Sequence, residues 1–431
     1  MGYQPHIGMD HHREAGAKWL ARGSYRPDPE NVMITPGSHN AVLVALSAAT
    51  NTGDLVLTER FTFPGIKAIA RLLGLRLETV PMDADGLIPD ALEDACRTKA
   101  PKALYCVPTL QNPTCSIMPE SRRREIATIA ERYNVAVVED DIFALLLDEA
   151  PPPLAAFLPT LGYLATSISK TLSPGLRTGF VATPPQMRSA VATAIRATTW
   201  MASPVSAEIA CRWITDGTAR HILDGHRREA AARADLCREI MGPWSPVLPD
   251  GALHAWLAMP DEWRVSDFVQ AAHQAGVTLS SSETFAIGLE DPPRAVRICL
   301  GPPRQRANLQ QGLEILAELL RATATDPLDR LLDFAGARAS FQLLTIGDLP
   351  RGSLRKYAEH LLTGDRPRPE TEALLTRFAT AQVRSTPYAY ALDVSGESTL
   401  PLIEADPYGK EAPPPLLRDA DWLRLQEICG G

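Results

Sequence analysis

No window of this 431-residue sequence comes near the roughly 20 consecutive apolar residues that a membrane-spanning helix needs. The N-terminus, MGYQPHIGMDHHREAG, carries no apolar core of the kind a secretory signal has. Positive charge is in deficit: 43 Lys and Arg stand against 51 Asp and Glu, for a net charge of -8. A protein whose main partner is nucleic acid needs a cationic surplus to neutralise phosphates, so that class is disfavoured. The seven cysteines, Cys96, Cys106, Cys115, Cys211, Cys237, Cys299 and Cys429, are scattered and never spaced C-x-x-C. This argues against a disulfide framework and a zinc site, and fits a reducing compartment. No internal repeat is found. The expectation is a cytoplasmic soluble protein with no membrane partner.

What is present is ordinary globular composition, 45% hydrophobic and 22% charged, in a chain long enough for two or three domains. From residue 1 to about 215, short apolar runs alternate with helical patterns. NVMIT, DLVLTE, LRLETVPMD, PKALYCVPT, VAVVEDD and LGYLATSIS read as strands, the last ending at Lys170. PGSHNAVLVALSAAT and SRRREIATIAERY read as helices, the second with Ile126, Ile129 and Ala130 on one side. Near-continuous apolar strands alternating with helices predict an α/β domain, with a mostly parallel sheet and helices on both faces. Residues 216–325 turn helix-rich around two strand-like runs, GALHAWLAMP and AVRICLG, and read as a smaller α+β domain. Residues 326–431 are proline-clustered and of unassigned fold, apart from expected helices in SLRKYAEHLL and ETEALLTRFATAQ.

In a parallel α/β sheet, ligands bind outside the carboxyl ends of the strands. Polar residues gather at those ends: Gly37-Ser38-His39, Asn112, Asp140 and Lys170, each after a different strand. A lysine amine there suits covalent imine chemistry, provided it loses its proton. A phosphate needs helix N-terminal N–H groups and a cation, which TPGSHNA and Arg177 offer. A pyridine nitrogen that stays protonated needs a carboxylate, and Asp140 ends a buried run. Asn112 offers a donor to a phenolate oxygen. Phe63, before a Pro64 turn, offers an aromatic face for a planar ring.

Taken in the order TPGS, QNPT, VVEDD and SISKTLSPGLRTGF, these motifs resemble the fold-type I, pyridoxal 5'-phosphate-dependent aminotransferases. The closest likeness is to the subgroup holding 2-aminoadipate-type aminotransferases and the aminotransferase-like domain of MocR-type (GntR family) regulators, over residues 2–325. The most specific piece is the S-x-S-K-x-x-x-P-G-x-R-x-G pattern around Lys170. The resemblance implies a large pyridoxal-phosphate-binding domain over 1–215 and a small subdomain over 216–325. It implies Lys170 as the Schiff-base lysine and general acid–base, and Asp140 as the partner of the pyridine nitrogen. It implies Arg177, Ser167, Gly37, Ser38 and His39 around the phosphate, Asn112 at the phenolic oxygen and Phe63 on the ring. It further implies Arg297 as the clamp of the substrate carboxylate. Tyr3 would reach the phosphate of the neighbouring subunit in a homodimer. The substrates implied are an amino acid and a 2-oxo acid.

Some features depart from that pattern. Phe143 stands where the family has a tyrosine donating to the phenolic oxygen, and core packing is its other reading. The sequence begins almost at Tyr3, where the family has an N-terminal arm and the regulators a winged helix-turn-helix; neither is read here, which favours an enzyme over the cofactor-binding part of a regulator. His6, His11 and His12 read as solvated or interfacial, with no neighbouring cysteine or carboxylate cluster, so no metal is expected. His39 reads as a helix-start residue, Trp200 and Trp256 as core, and SRRRE as a solvated helix face.

Overall fold

The computed structural model describes residues 3–288 and 292–321, together with the short strands Ala389–Tyr390 and Pro401–Leu402. The chain divides into two compact units, Met1–Leu320 and Arg321–Gly431. The first unit is built on a seven-stranded sheet. Its strands are β1 (Val32–Thr35), β2 (Leu55–Glu59), β3 (Arg76–Val80), β6 (Ala103–Cys106), β7 (Ala136–Asp140), β8 (Gly162–Ser167) and β9 (Gly179–Ala182), in the order β1-β9-β8-β7-β6-β2-β3. All neighbouring pairs are parallel except those made by β9, which runs antiparallel to both β8 and β1. A two-stranded hairpin, β4 (Met82–Asp83) and β5 (Gly86–Leu87), stands apart from it.

Every residue of β2, β6, β7 and β8 is buried, which explains why these strands read as continuous apolar runs rather than as alternation. Helices cover both faces. On one, Tyr105, Val138, Tyr163 and Ala165 pack against Ala41, Val44 and Ala45 of α2 (Ser38–Ala49) and Ile195 of α6 (Arg188–Thr198). On the other, Leu57, Leu104 and Val137 pack against Leu92 of α4 (Pro89–Lys99) and Ile126 and Ile129 of α5 (Glu120–Tyr133). Each such buried aliphatic side chain contributes about 1.5–3 kcal/mol. The periodicity of α5 dictates its face: Ile126, Ile129 and Ala130 are buried as expected. Its C-terminus stops at Asn134, whose left-handed φ of +52° closes the last turn. The remaining helices here are α1 (Asp10–Leu20), α3 (Gly65–Leu73) and α7 (Pro204–Asp216).

Beyond α7 come α8 (Thr218–Met241), α9 (Val265–Gln274) and α10 (Arg306–Arg321), around an antiparallel sheet ordered β10 (His254–Ala258), β12 (Ala295–Cys299), β11 (Ser280–Ser281). These elements are helix-rich around a small antiparallel sheet, and they belong to the same compact unit as the seven-stranded sheet. In the second unit the described residues form one antiparallel pair, β13 (Ala389–Tyr390) with β14 (Pro401–Leu402). The helices expected over 353–362 and 370–382 lie outside the described residues.

Two expectations are corrected by packing. In SRRRE, Arg123 is fully buried rather than solvated. Its guanidinium donates to the Met118, Pro108 and Pro152 carbonyls, to Thr109 Oγ1 and to Glu139 Oε1. The helix turns Arg123 inward while Arg124 is exposed and Arg122 is half-buried. Trp200, expected in the core, is 51% exposed, with the rings of Tyr3 and His6 edge-on to it.

Candidate active site

Strand alternation decides which carboxylate of VVEDD faces the α2 side of the sheet. In the β6–β7 register Tyr105 is opposite Val138, and Asp140 is two residues further along the same face. The Tyr105 hydroxyl therefore reaches Asp140 and donates to Oδ2 at 3.0 Å. Oδ1 is also buried and has no partner among the described residues. Burial pushes the Asp140 carboxyl up to about 7, opposed by the Tyr105 hydrogen bond and helped by neighbouring Asp141. A carboxylate in this state calls for a cationic donor at its free oxygen.

Its two neighbours are already occupied. Glu139 points to the opposite face, where Oε1 pairs with Arg123 at 3.1 Å and Oε2 accepts from the Leu154 amide at 2.7 Å. Asp141 forms an ion pair with Arg22. Among the described residues, Asp141 Oδ1, like Asp140 Oδ1, is buried without a hydrogen-bond partner, but Asp141 shares the Glu139 face and the Arg22 cation, whereas Asp140 faces α2 with no cation beside it.

The phosphate-type cradle is built at the start of α2. Gly37, at φ +98°, caps that helix without any side-chain cap. A Cβ there would lie 2.7 Å from Nη2 of Arg177, so glycine is required both by its φ and by the approach of the arginine. Arg177, itself at φ +47°, donates to the Pro36 carbonyl at 3.3 Å and to Ser169 Oγ at 3.5 Å. Its guanidinium, the free N–H groups of the first turn of α2 and the helix dipole converge on one spot suited to an anion. Gly179 on β9 presses against this turn, its missing Cβ otherwise 2.6 Å from the Gly37 carbonyl carbon. Ser38 is half-buried at the helix start. His39, exposed, is held edge-on to Phe63 with ring centres 6.1 Å apart. Partial desolvation of the ring first and the Arg177 charge second lower the His39 pKa.

Ser167 is buried at the end of β8, and Lys170 lies in the turn that follows it. The strand thus stops three residues earlier than the expected end at Lys170. The chain bends because the Leu172 and Ser173 amides both return to the Ile168 carbonyl. Lys170 is exposed, on the rim rather than in the strand.

The second sheet supplies the opposing wall. Arg297 on β12 donates from Nη1 to Asn112 Oδ1 at 2.7 Å, and its guanidinium lies 4.7 Å over the Phe285 ring. Its Nε is buried without a partner among the described residues. The Asn112 loop is pinned by Gln111, which donates to Glu59 Oε2 and the Phe61 carbonyl and accepts from Thr114. His254 Nε2 donates to the Gln111 carbonyl at 3.1 Å, and its ring packs on Phe143 at 5.7 Å. Burial, then Arg297, then Lys170 push His254 down to about 4, the Gln111 hydrogen bond working against them. The ring is neutral at physiological pH, and it senses the charges of both Lys170 and Arg297. Phe143 is 6% exposed, packed as its core reading expects.

Sequence reasoning missed Tyr105, Glu59, Gln111, His254, Arg22 and Arg123. Tyr105 was legible in principle, since a tyrosine on the strand next to VVEDD, at matching phase, shares the face of Asp140. The others depend on contacts across long separations. Of the expected residues, Arg177 and Gly37 meet, as do Asn112 and Arg297 and as do His39 and Phe63. Tyr3 stands apart: it is 86% exposed, with its ring edge-on to Trp200. The histidines also differ from expectation. His12 is 2% exposed, and Glu208, 196 residues away in sequence, brings a carboxylate between it and His11.

A mostly parallel α/β sheet with an arginine approaching a helix-start glycine, a rim lysine and a buried acid is the architecture of an aminotransferase-type fold. The family model described as Aminotransferase class I and II matches residues 1–316, and the chain belongs to that family. Among curated relatives, the uncharacterized HTH-type transcriptional regulator YdeF of Bacillus subtilis is 31% identical over 308 residues, 72% of this chain and 67% of that protein. A second, YisV, is matched over 57% of its length, so the chain spans between half and two thirds of these regulators. The 2-aminoadipate transaminase of Thermus thermophilus is 30% identical over 60% of this chain and 66% of that protein. Among solved structures, Pyrococcus horikoshii kynurenine aminotransferase superposes with a TM-score of 0.69 at 24% identity, covering 76% of this chain and 83% of that one. The α-aminoadipate aminotransferase LysN of T. thermophilus gives 0.67 at 24%, covering 75% and 84%; its structure holds N-(5'-phosphopyridoxyl)-L-leucine.

Proposed function

We propose that the chain is a pyridoxal-phosphate-dependent transaminase, moving an amino group between an amino acid and a 2-oxo acid. The observation that carries this reading is the orphaned Oδ1 of buried Asp140, on the same sheet face as the Gly37–Arg177 cradle at the start of α2. That pairing fits a cofactor with a ring N–H at one end and a phosphate at the other. Asp140 would hold the ring nitrogen, with Tyr105 fixing its other oxygen. Arg177, Ser167, Gly37, Ser38 and His39 would hold the phosphate. Phe63 would cover the ring, and Asn112 would donate from its amide nitrogen to the phenolic oxygen while its Oδ1 accepts from Arg297. Bound there, pyridoxal phosphate supplies a carbonyl for covalent capture of an amine and an electron sink for the bond to its α-carbon.

This chain's own groups do the rest. Lys170 Nζ would hold the cofactor's carbonyl carbon and, when free, would accept and return the substrate's α-proton as general base and acid. Its place in the exposed turn after β8 leaves it free to swing. Arg297 holds the substrate carboxylate through its unpartnered Nε and its remaining Nη2, a planar two-point grip. Neutral His254 and apolar Phe143 line the same wall without adding charge. Residues 1–215 act as the large cofactor domain and 216–325 as the small one. Tyr3, exposed on the chain's own surface, serves a neighbouring subunit in a homodimer, and the protein works in the cytoplasm. No helix among the described residues is long and apolar enough to cross a membrane.

A second reading has its own support, because the relatives at 31% and 27% identity carry the name of HTH-type transcriptional regulators. In it the same site binds cofactor and effector amino acid without turnover. A panel of amino acids with the cofactor-loaded protein separates the two. Conversion of the visible absorption band to the pyridoxamine form, with keto acid released, supports the transaminase. A band that shifts on amino acid binding with no keto acid at any substrate supports the regulator domain.

A further inference from the structure

Outside the candidate active site, the structure brings together a set of metal-ligating groups that the mechanism does not use. His11 and His12 are adjacent on α1, where successive side chains diverge by about 100° around the helix. Both nonetheless converge on one atom. His11 Nε2 lies 2.9 Å and His12 Nε2 3.1 Å from Oε2 of Glu208 on α7. The three ligand atoms all lie within 4.8 Å of one another. Ligands about 2.0 Å from a tetrahedral Zn2+ are about 3.3 Å apart, close to the two nitrogen-to-oxygen separations, and the set as a whole, spanning up to 4.8 Å, would draw together around an ion by side-chain shifts. The other carboxylate oxygen is already fixed, since Arg212 Nε donates to Glu208 Oε1 at 2.7 Å. That bond aims Oε2 at the two imidazoles, as an outer-shell partner aims a ligand in metal sites. His12 is 2% exposed, while half-exposed His11 leaves one side open to solvent.

We propose that His11, His12 and Glu208 form a binding site for a divalent transition-metal ion, best suited to Zn2+, with water as the remaining ligand. Two imidazoles and one carboxylate suit such an ion better than Mg2+ or Ca2+, which prefer all-oxygen sets. The ion takes the place of the two Nε2 protons, each ring passing to its Nδ1–H tautomer so that it ligates as a neutral imidazole, and it ties α1 to α7. The site is independent of the cofactor reading and stands or falls separately from it.

The test is calorimetric titration of ZnCl2 into the tag-free full chain, with thermal unfolding followed in parallel. Wild type is compared with His11→Ala, Glu208→Gln and a control, His6→Ala, a half-buried histidine beside Trp200. We expect one Zn2+ per chain and a higher Tm with Zn2+ in wild type and His6→Ala. We expect at least tenfold weaker binding and no Tm gain in the other two. Should Glu208→Gln fail to fold, His11→Ala decides alone, because its side chain is half-exposed. Absence of Zn2+ binding to wild type overturns the proposal. So does binding that survives both His11→Ala and Glu208→Gln, which would place the ion elsewhere, for instance on thiols.

Discussion

Asp140→Asn should make the cofactor-free protein more stable at alkaline pH while weakening its hold on the cofactor. The wild-type carboxyl is raised by burial from the usual 3.8 to about 7, with only the Tyr105 hydroxyl as a partner. Its folded pKa lies above its unfolded one, so the folded state keeps a proton that the unfolded state releases. Stability from this group is therefore intact at low pH, falls as pH rises from about 4 to 7, and stays low above that. The gap between 3.8 and about 7 corresponds to a ceiling of ~4 kcal/mol. Between pH 5 and pH 8.5 the difference amounts to ~3 kcal/mol. Asparagine has the same shape and no charge, and its amide oxygen still accepts from Tyr105. The other buried carboxyls, Glu59 and Glu139, are common to both proteins and cancel to first order. Urea unfolding of cofactor-free wild type and variant at the two pH values measures this. The variant should gain on wild type by a few kcal/mol on going from pH 5 to 8.5. With cofactor the order should reverse, since the ring nitrogen loses its anion. An equal wild-type-to-variant difference at both pH values would refute the reasoning.

Gly37→Ala forces a Cβ onto a φ of +98° and to within 2.7 Å of Arg177, so it should cost ~1–3 kcal/mol in urea unfolding and weaken pyridoxal phosphate binding by roughly tenfold or more. Arg123→Ala leaves the fully buried Glu139 without its cation and should destabilise by ~3–5 kcal/mol in the same assay, with the candidate site's spectrum unchanged in the fraction that folds. Arg297→Lys removes the planar grip and the Asn112 bond and should raise KM for the amino acid by roughly 10–100-fold in steady-state kinetics.

Much of the fold was legible because the strands are buried along their whole length and thus read as unbroken apolar runs. The helices were legible wherever one face is apolar, as in α5. The antiparallel run of β9 was not, since strand direction depends on pairing rather than on composition. At the candidate site, residues tied to a local motif were proposed from sequence, among them Gly37, Asn112, Asp140, Ser167, Lys170 and Arg177, and the structure brings Gly37 against Arg177 and Asn112 against Arg297. Those that act through distant partners were not. Arg123 looks like a solvated residue in SRRRE and is buried because Glu139 on the facing strand needs a cation. His12 looks like part of a polar histidine run and is buried against Glu208, 196 positions later. A charged side chain reveals burial only through its partner, and sequence spacing does not disclose partners across such distances.

The central claim is tested most directly by adding pyridoxal phosphate to the cofactor-free full chain and to Lys170→Ala, then recording the visible spectrum after dialysis and after borohydride reduction. The account predicts a yellow wild type that retains one cofactor per chain, fixed to the peptide bearing Lys170 on reduction, and a variant that loses both colour and label. A wild type that retains no cofactor, or a label that persists when Lys170 is removed, would contradict it.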